Sequence, residues 1–214
     1  MDKKRKIKKI YALLEERFGD LEWWPAETDF EVVVGAVLTQ NTAWSNVEKA
    51  IKRLKKKGLM RPDKIAKIRI SDLAPVIRPT GYYRVKSGRL QEISRFIMAE
   101  CGGRLSELKK KGTEDLRGKL LAVKGVGPET ADSILLYALG KPVFVVDAYT
   151  KRIFFRHGLV PENAPYDEVQ LFACEGFPAD VEALNQFHAL LVETGKRYCK
   201  KKDPLCKECP LRGV

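Results

Sequence analysis

No apolar stretch in the 214 residues approaches the roughly 20 residues that a bilayer-spanning helix requires; the longest strongly apolar one runs only from Val32 to Leu38. A membrane protein is excluded on that ground, and no membrane partner is expected. A secretory leader is not visible either, because Lys3, Lys4, Arg5, Lys6, Lys8 and Lys9 are followed by an amphipathic pattern instead of a continuous apolar segment. A cytoplasmic location is the expectation. Period-2 alternation is almost missing, which argues against sandwiches and barrels. Long Gly/Ser linkers, low-complexity tracts and internal repeats are missing too, so any two domains must pack against each other. Asparagine and glutamine together number eight, and histidine two.

What is abundant is positive charge. Forty Lys and Arg against 28 Asp and Glu give a net charge of +12, which points to an anionic partner such as nucleic acid. The charge is segregated: residues 1–9 carry +5, 10–50 carry −6, 51–119 carry +13, 120–152 carry +1, 153–195 carry −6 and 196–214 carry +5. A solvated lysine-rich surface, as in heat-stable proteins, is the plainer explanation. Charge alone does not choose between the two.

Apolar residues recur at helical spacing in Ile7, Ile10, Leu14 and Phe18, and again in Val181, Leu184, Phe187 and Leu191. Further helices are predicted at about 29–38, 44–57, 83–100, 113–122, 128–139, 147–157 and 165–174, separated by Pro and Gly. The chain therefore reads as all-α, with roughly ten short helices. Pro142-Val143-Phe144-Val145-Val146 is the one strand-like stretch, and its shortness makes it a buried connector.

The segment Leu120 to Asp132 carries the most information. A helix runs into Gly125-Val126-Gly127 and a new one starts at Pro128. Two glycines permit a tight reversal with positive φ, and proline suits the first helical turn, where a missing N–H costs nothing. The free amides of such a turn, with Lys124 beside them, can receive a phosphate oxygen and position a DNA backbone without reading its sequence. An ordinary αα-hairpin explains Gly-x-Gly equally well. Twenty residues beyond Gly127, Asp147 stands between the apolar connector and a helical pattern, where a helix N-cap explains it if it is taken alone.

Hairpin, Gly-Val-Gly, apolar run and Asp147, in that order, resemble the helix-hairpin-helix DNA glycosylases of the endonuclease III superfamily. Val37-Leu38-Thr39-Gln40-Asn41-Thr42 is similar to the family's gap-filling loop, and Gly81-Tyr82-Tyr83-Arg84-Val85-Lys86 to its next turn. The resemblance extends from about residue 23 to 209. It implies a six-helix barrel over residues 21–133, with residues 1–20 and 134–214 forming a second helical domain. It also implies an enzyme that extrudes a damaged nucleotide from double-stranded DNA and hydrolyses its N-glycosidic bond, acting as a monomer. Asp147 falls where the family places its catalytic carboxylate, which stabilises an oxocarbenium-like sugar and orients water. Gln40 or Asn41 would fill the space left by the flipped base. Lys124, Gly125, Val126, Gly127 and Thr130 would contact the DNA.

Bifunctional members carry a lysine in the second helix of the hairpin, where it forms a Schiff base. Here that position is Glu129, which cannot, and Lys124 lies five residues earlier in the turn. A monofunctional glycosylase without lyase activity is therefore expected. Trp23-Trp24-Pro25, Trp44 and Glu129 together resemble the endonuclease III-type 3-methyladenine DNA glycosylases, which implies a base pocket for alkylated purines. Indole faces and a carboxylate suit a cationic, electron-poor base. Core anchoring by the tryptophans is the plainer alternative, and oxidised pyrimidines or mismatched thymine or uracil are competing substrates. A non-catalytic damage-binding module is the alternative of another class. Lys196 borders the pocket or belongs to a solvated run, and His157 and His188 read as packed residues.

Cys199-x6-Cys206-x2-Cys209 implies a metal, while Cys101 and Cys174 stand apart. The spacing resembles the first three ligands of the family's 4Fe-4S cluster, and the fourth would fall one residue beyond Val214. A cluster whose fourth cysteine lies outside these residues is the favoured reading. An unusual fourth ligand, a vestigial site and zinc are the alternatives.

Overall fold

The computed structural model describes residues 3–21, 23–177 and 179–214. Among them there are helices and no strand: α1 (Lys3–Phe18), α2 (Asp29–Leu38), α3 (Trp44–Lys56), α4 (Pro62–Lys67), α5 (Ile70–Leu73), α6 (Tyr83–Cys101), α7 (Leu105–Lys109), α8 (Thr113–Ala122), α9 (Pro128–Ser133), α10 (Ala148–Arg156), α11 (Tyr166–Gly176) and α12 (Val181–Arg197). A 3-10 turn spans Arg78–Thr80, and a π-helical stretch, Ile134–Ala138, continues α9. The all-α reading holds, with the short α4, α5 and α7 added to it. No described helix is long and apolar enough to cross a membrane.

The chain divides into two compact units. One comprises Ala26–Lys141, the other the described residues of Met1–Pro25 together with Pro142–Val214. The breaks after Pro25 and Lys141 lie beyond the boundaries expected at 20/21 and 133/134. The later break has a physical reason: the π-helical stretch buries Ile134, Leu135, Leu136 and Ala138 in continuation of α9, so the chain leaves this unit only after Lys141.

Within Ala26–Lys141, α2 is buried on nearly every face, from Phe30 to Leu38. An all-round apolar helix has to sit at the centre of a unit. Thr28 starts it by accepting the Glu31 N–H at 3.2 Å. The surrounding α3 buries Val47, Ala50, Ile51 and Leu54 while its other faces carry Lys and Arg. Buried Glu31 is offset by Lys55 at 2.8 Å, and the bonds to Glu31 and then Glu27 push the Lys55 pKa up.

In the other unit α1 contributes a fully buried stripe, Ile7, Ile10 and Leu14. Phe187 of α12 is the centre of an aromatic cluster, with Phe177, Phe144 and Tyr11 rings at 4.8, 5.5 and 5.7 Å. The apolar connector is buried from Val143 to Val146 without ladder partners. Side chains of α11 satisfy it instead: Gln170 Nε2 donates to the Phe144 carbonyl at 2.6 Å, and the Val146 N–H donates to the Tyr166 hydroxyl at 3.2 Å. These bonds fix the backbone that delivers Asp147.

Candidate active site and DNA-contacting loops

Asp147 is the N-cap of α10. Its Oδ1 accepts the Thr150 N–H at 2.7 Å, and the side chain is 13% exposed. Its Oδ2 lies 3.8 Å from Nε2 of His188 on α12, beyond hydrogen-bond range. Burial holds the His188 pKa below the ordinary histidine value; Asp147 opposes that shift and Lys196 adds to it. The Trp23 ring meets the His188 ring edge-on at 6.3 Å, and the Lys196 Nζ stands 5.2 Å from the Trp23 ring centre. One carboxylate, one buried imidazole, one indole and one ammonium are thus gathered in a single unit.

Gly195 makes this closeness possible. A Cβ there would fall 2.2 Å from Cδ1 of Tyr149 and 2.8 Å from its Cβ, so only glycine lets α10 lie this near α12. His188, Gly195 and Lys196 are seven and eight residues apart, two helical turns, and therefore share a face. That periodicity is the signal that connects His188 with Lys196, and reading each histidine alone misses it.

Trp24 takes a left-handed backbone at φ 65° and is half-buried, whereas Pro25 is exposed. The buried Trp23 Nε1–H has no acceptor among the described residues. Trp44 and Glu129 belong to the other unit. Trp44 opens α3 and donates its Nε1–H to Glu48 at 3.1 Å; Glu129 is exposed in the first turn of α9.

The hairpin formed by α8 and α9 reverses at Gly125, with φ +88°. Gly127 does not share the positive φ expected of both glycines. It is extended (φ −96°, ψ 176°) because it serves as the N-cap ahead of Pro128. Val126 is buried and its N–H closes on the Val123 carbonyl at 3.0 Å, while Lys124 is exposed. The N–H groups of Gly125 and Gly127 have no acceptor among the described residues. Behind the turn, Arg117 grips the fully buried Asp132 with two bonds, at 2.8 and 3.1 Å, and so locks α8 to α9.

Gln40 is anchored instead of free. Its Nε2 donates to Thr130 Oγ1 at 2.9 Å and to the Gly125 carbonyl at 3.4 Å, and its Oε1 accepts from Arg89. Thr130, expected among the DNA contacts, is itself buried. Asn41 is exposed and left-handed at φ 52°. Tyr82 is 77% exposed and left-handed at φ 44°.

The three clustered cysteines lie on the tail after α12. Cys199 is buried and takes a bond from Arg156 Nη1 at 3.3 Å; Cys206 is exposed and Cys209 half-buried. Burial foremost pushes the Cys209 thiol pKa up, against a backbone hydrogen bond at Leu211 and with smaller contributions from Cys199 and Cys206. Among the described residues no group of three His, Cys, Asp or Glu side chains converges tightly enough to hold a metal ion.

The family described as HhH-GPD superfamily base excision DNA repair protein matches residues 34–179, more than half of the chain. The chain belongs to that superfamily. It is a DNA glycosylase of base excision repair. A protein of Methanocaldococcus jannaschii named as a candidate DNA repair glycosylase is 49% identical over 208 residues, 96% of this chain and 94% of the relative. Endonuclease III of Thermotoga maritima is 36% identical over 187 residues, 87% of this chain and 82% of the relative. The crystal structure of an H. pylori 3-methyladenine DNA glycosylase bound to 1,N6-ethenoadenine is similar with a TM-score of 0.77 and 33% identity, covering 92% of this chain and 98% of that one. As a glycosylase of this superfamily the chain acts on DNA, and its basic surplus suits that polyanion.

Proposed function

We propose that this glycosylase excises alkylated purines such as 3-methyladenine and, lacking lyase chemistry, leaves an abasic site. The observation that carries the reading is the grouping of Asp147, His188, Trp23 and Lys196 in one unit. Asp147 spends one carboxylate oxygen on its own helix, and its negative charge is favoured at a helix N-terminus. Its other oxygen is available to the positive charge that develops on the sugar as the glycosidic bond breaks, and to a water drawn in behind it.

The Trp23 face accepts a cation, here the Lys196 ammonium, which a positively charged base entering the pocket would displace. Trp24 and Pro25, in the same unit, are proposed as its further lining. An alkylated adenine leaves readily once flipped, so modest assistance from Asp147 suffices. Lys124 and the unengaged amides of Gly125 and Gly127 are proposed to hold a backbone phosphate. The bonds made by Gln40 favour Asn41 as the residue that enters the vacated space, with Gln40 bracing the loop against the hairpin. The enzyme is proposed to act as a monomer.

The tail is proposed to carry a structural 4Fe-4S cluster. Its donor set, three thiols with an arginine N–H on one sulfur, suits an anionic iron-sulfur centre. Cys199, Cys206 and Cys209 would supply three of its ligands and clamp the lysine-rich tail.

Replacing Asp147 with Asn tests the catalytic assignment. Release of 3-methyladenine from duplex DNA is expected to fall by about a hundredfold or more, with DNA affinity little changed. Turnover comparable to the wild type would remove Asp147 from the chemistry.

A further inference from the structure

We infer that Lys86 is a positioning residue for DNA engagement: its buried ammonium holds the 39–42 loop and the 80–82 turn so that Asn41 and Tyr82 project as a fixed pair. The inference rests on the reading that the 39–42 loop meets DNA. All the residues concerned lie within Ala26–Lys141.

Lys86 sits in the first turn of α6 and is 1% exposed. Its Nζ donates to the Leu38 carbonyl at 2.9 Å, the Thr80 carbonyl at 2.8 Å and the Thr42 hydroxyl at 3.2 Å. Three donors meet three acceptors, so the ammonium is fully satisfied. These acceptors bracket the two tips: Leu38 and Thr42 flank the 39–41 turn, and Thr80 precedes Gly81-Tyr82. The Thr42 hydroxyl also donates to the Thr80 carbonyl, which ties the segments directly.

Both tips hold a backbone conformation unfavourable to residues with a side chain, Asn41 at φ 52° and Tyr82 at φ 44°. Such conformations persist where the surroundings over-determine them. Lys86 supplies that constraint from below, and both side chains above it are exposed. One turn along α6, Arg89 bonds to Gln40 and packs over Gly125, where a Cβ would fall 2.5 Å from its Cγ. One helix thereby fixes loop, turn and hairpin in register.

Among the described residues no carboxylate partners this buried cation, so its three hydrogen bonds to neutral oxygens only partly offset the cost of burying the charge. Desolvation, with Arg89 as the charged group acting on it, lowers the Lys86 pKa from 10.5 to about 8. Deprotonation removes one of the three donors and loosens the clamp. The same shift acts oppositely on global stability. Between about pH 8 and 10.5 the unfolded chain binds more protons at this lysine than the folded one, so the contribution of Lys86 to folding stability rises with pH. A loss of DNA affinity across that window is therefore not explained by unfolding at this site.

The experiment measures affinity for an undamaged duplex from pH 7 to 9.5, at fixed salt, for wild type, Lys86→Met and Lys86→Arg. Wild-type affinity is expected to fall on the order of tenfold as pH passes about 8. Lys86→Met is expected to be weak at every pH, and Lys86→Arg, whose cation does not titrate there, to lose the alkaline fall. Full affinity in folded Lys86→Met, or the same alkaline fall in Lys86→Arg, overturns the inference. If Lys86→Met does not fold, the wild-type and Lys86→Arg profiles decide it alone. Binding to undamaged DNA needs no base release, so a failure of the excision reading registers separately.

Discussion

At the scale of single residues, identity and conformation do separate work. Asp147 is legible in the sequence as an N-cap, and only its position relative to the hairpin suggests chemistry. The structure adds His188, 3.8 Å from its second oxygen, which no local pattern around Asp147 encodes because α12 begins more than thirty residues later. Glu129 is the opposite case, since its meaning lies in what it cannot do. A carboxylate forms no imine, and exposed Lys124 lies in the turn before the helix. Borohydride added during reaction with damaged duplex is therefore expected to trap no appreciable protein–DNA adduct. Efficient trapping that maps to a lysine would show lyase chemistry and contradict the monofunctional reading.

Among the elements, long amphipathic helices follow directly from periodicity, and α1, α3, α6 and α12 lie where the apolar spacing puts them. The short α4, α5 and α7, of 6, 4 and 5 residues, are not legible in this way. So few residues hold too little of a 3.6-residue period to register, and tertiary packing stabilises them. The hairpin was half legible: its reversal and Pro128 follow from the residue types, whereas the extended Gly127 depends on capping geometry. Helix contact also makes Gly195 the most constrained position near Asp147. Gly195→Ala would force the Tyr149 ring away and destabilise the fold by about 1–3 kcal/mol. Thermal unfolding and base release are expected to decline together, and an unaffected Gly195→Ala variant would show that α10 and α12 have room to spare.

For the whole molecule, the sequence conveys a repair enzyme more readily than its substrate. Motifs spread over most of the chain identify the superfamily, because hairpin, loop and carboxylate are read by order and spacing. In the proposed reading, substrate choice rests on a few ring contacts made by residues distant in sequence, which spacing does not convey. The cysteine tail has a direct test. Protein purified without oxygen is expected to be brown, with broad visible absorption that Cys199→Ala removes; a colourless protein with stoichiometric zinc would replace the cluster with a zinc site. Base release from duplexes carrying 3-methyladenine, 7-methylguanine, a mismatched thymine or uracil, or an oxidised pyrimidine bears most directly on the proposed activity. The wild type is expected to release 3-methyladenine fastest and to leave the abasic strand uncut, with Asp147→Asn slowed by about a hundredfold or more; preferential release of an oxidised pyrimidine or a mismatched base, accompanied by strand cleavage, would contradict it.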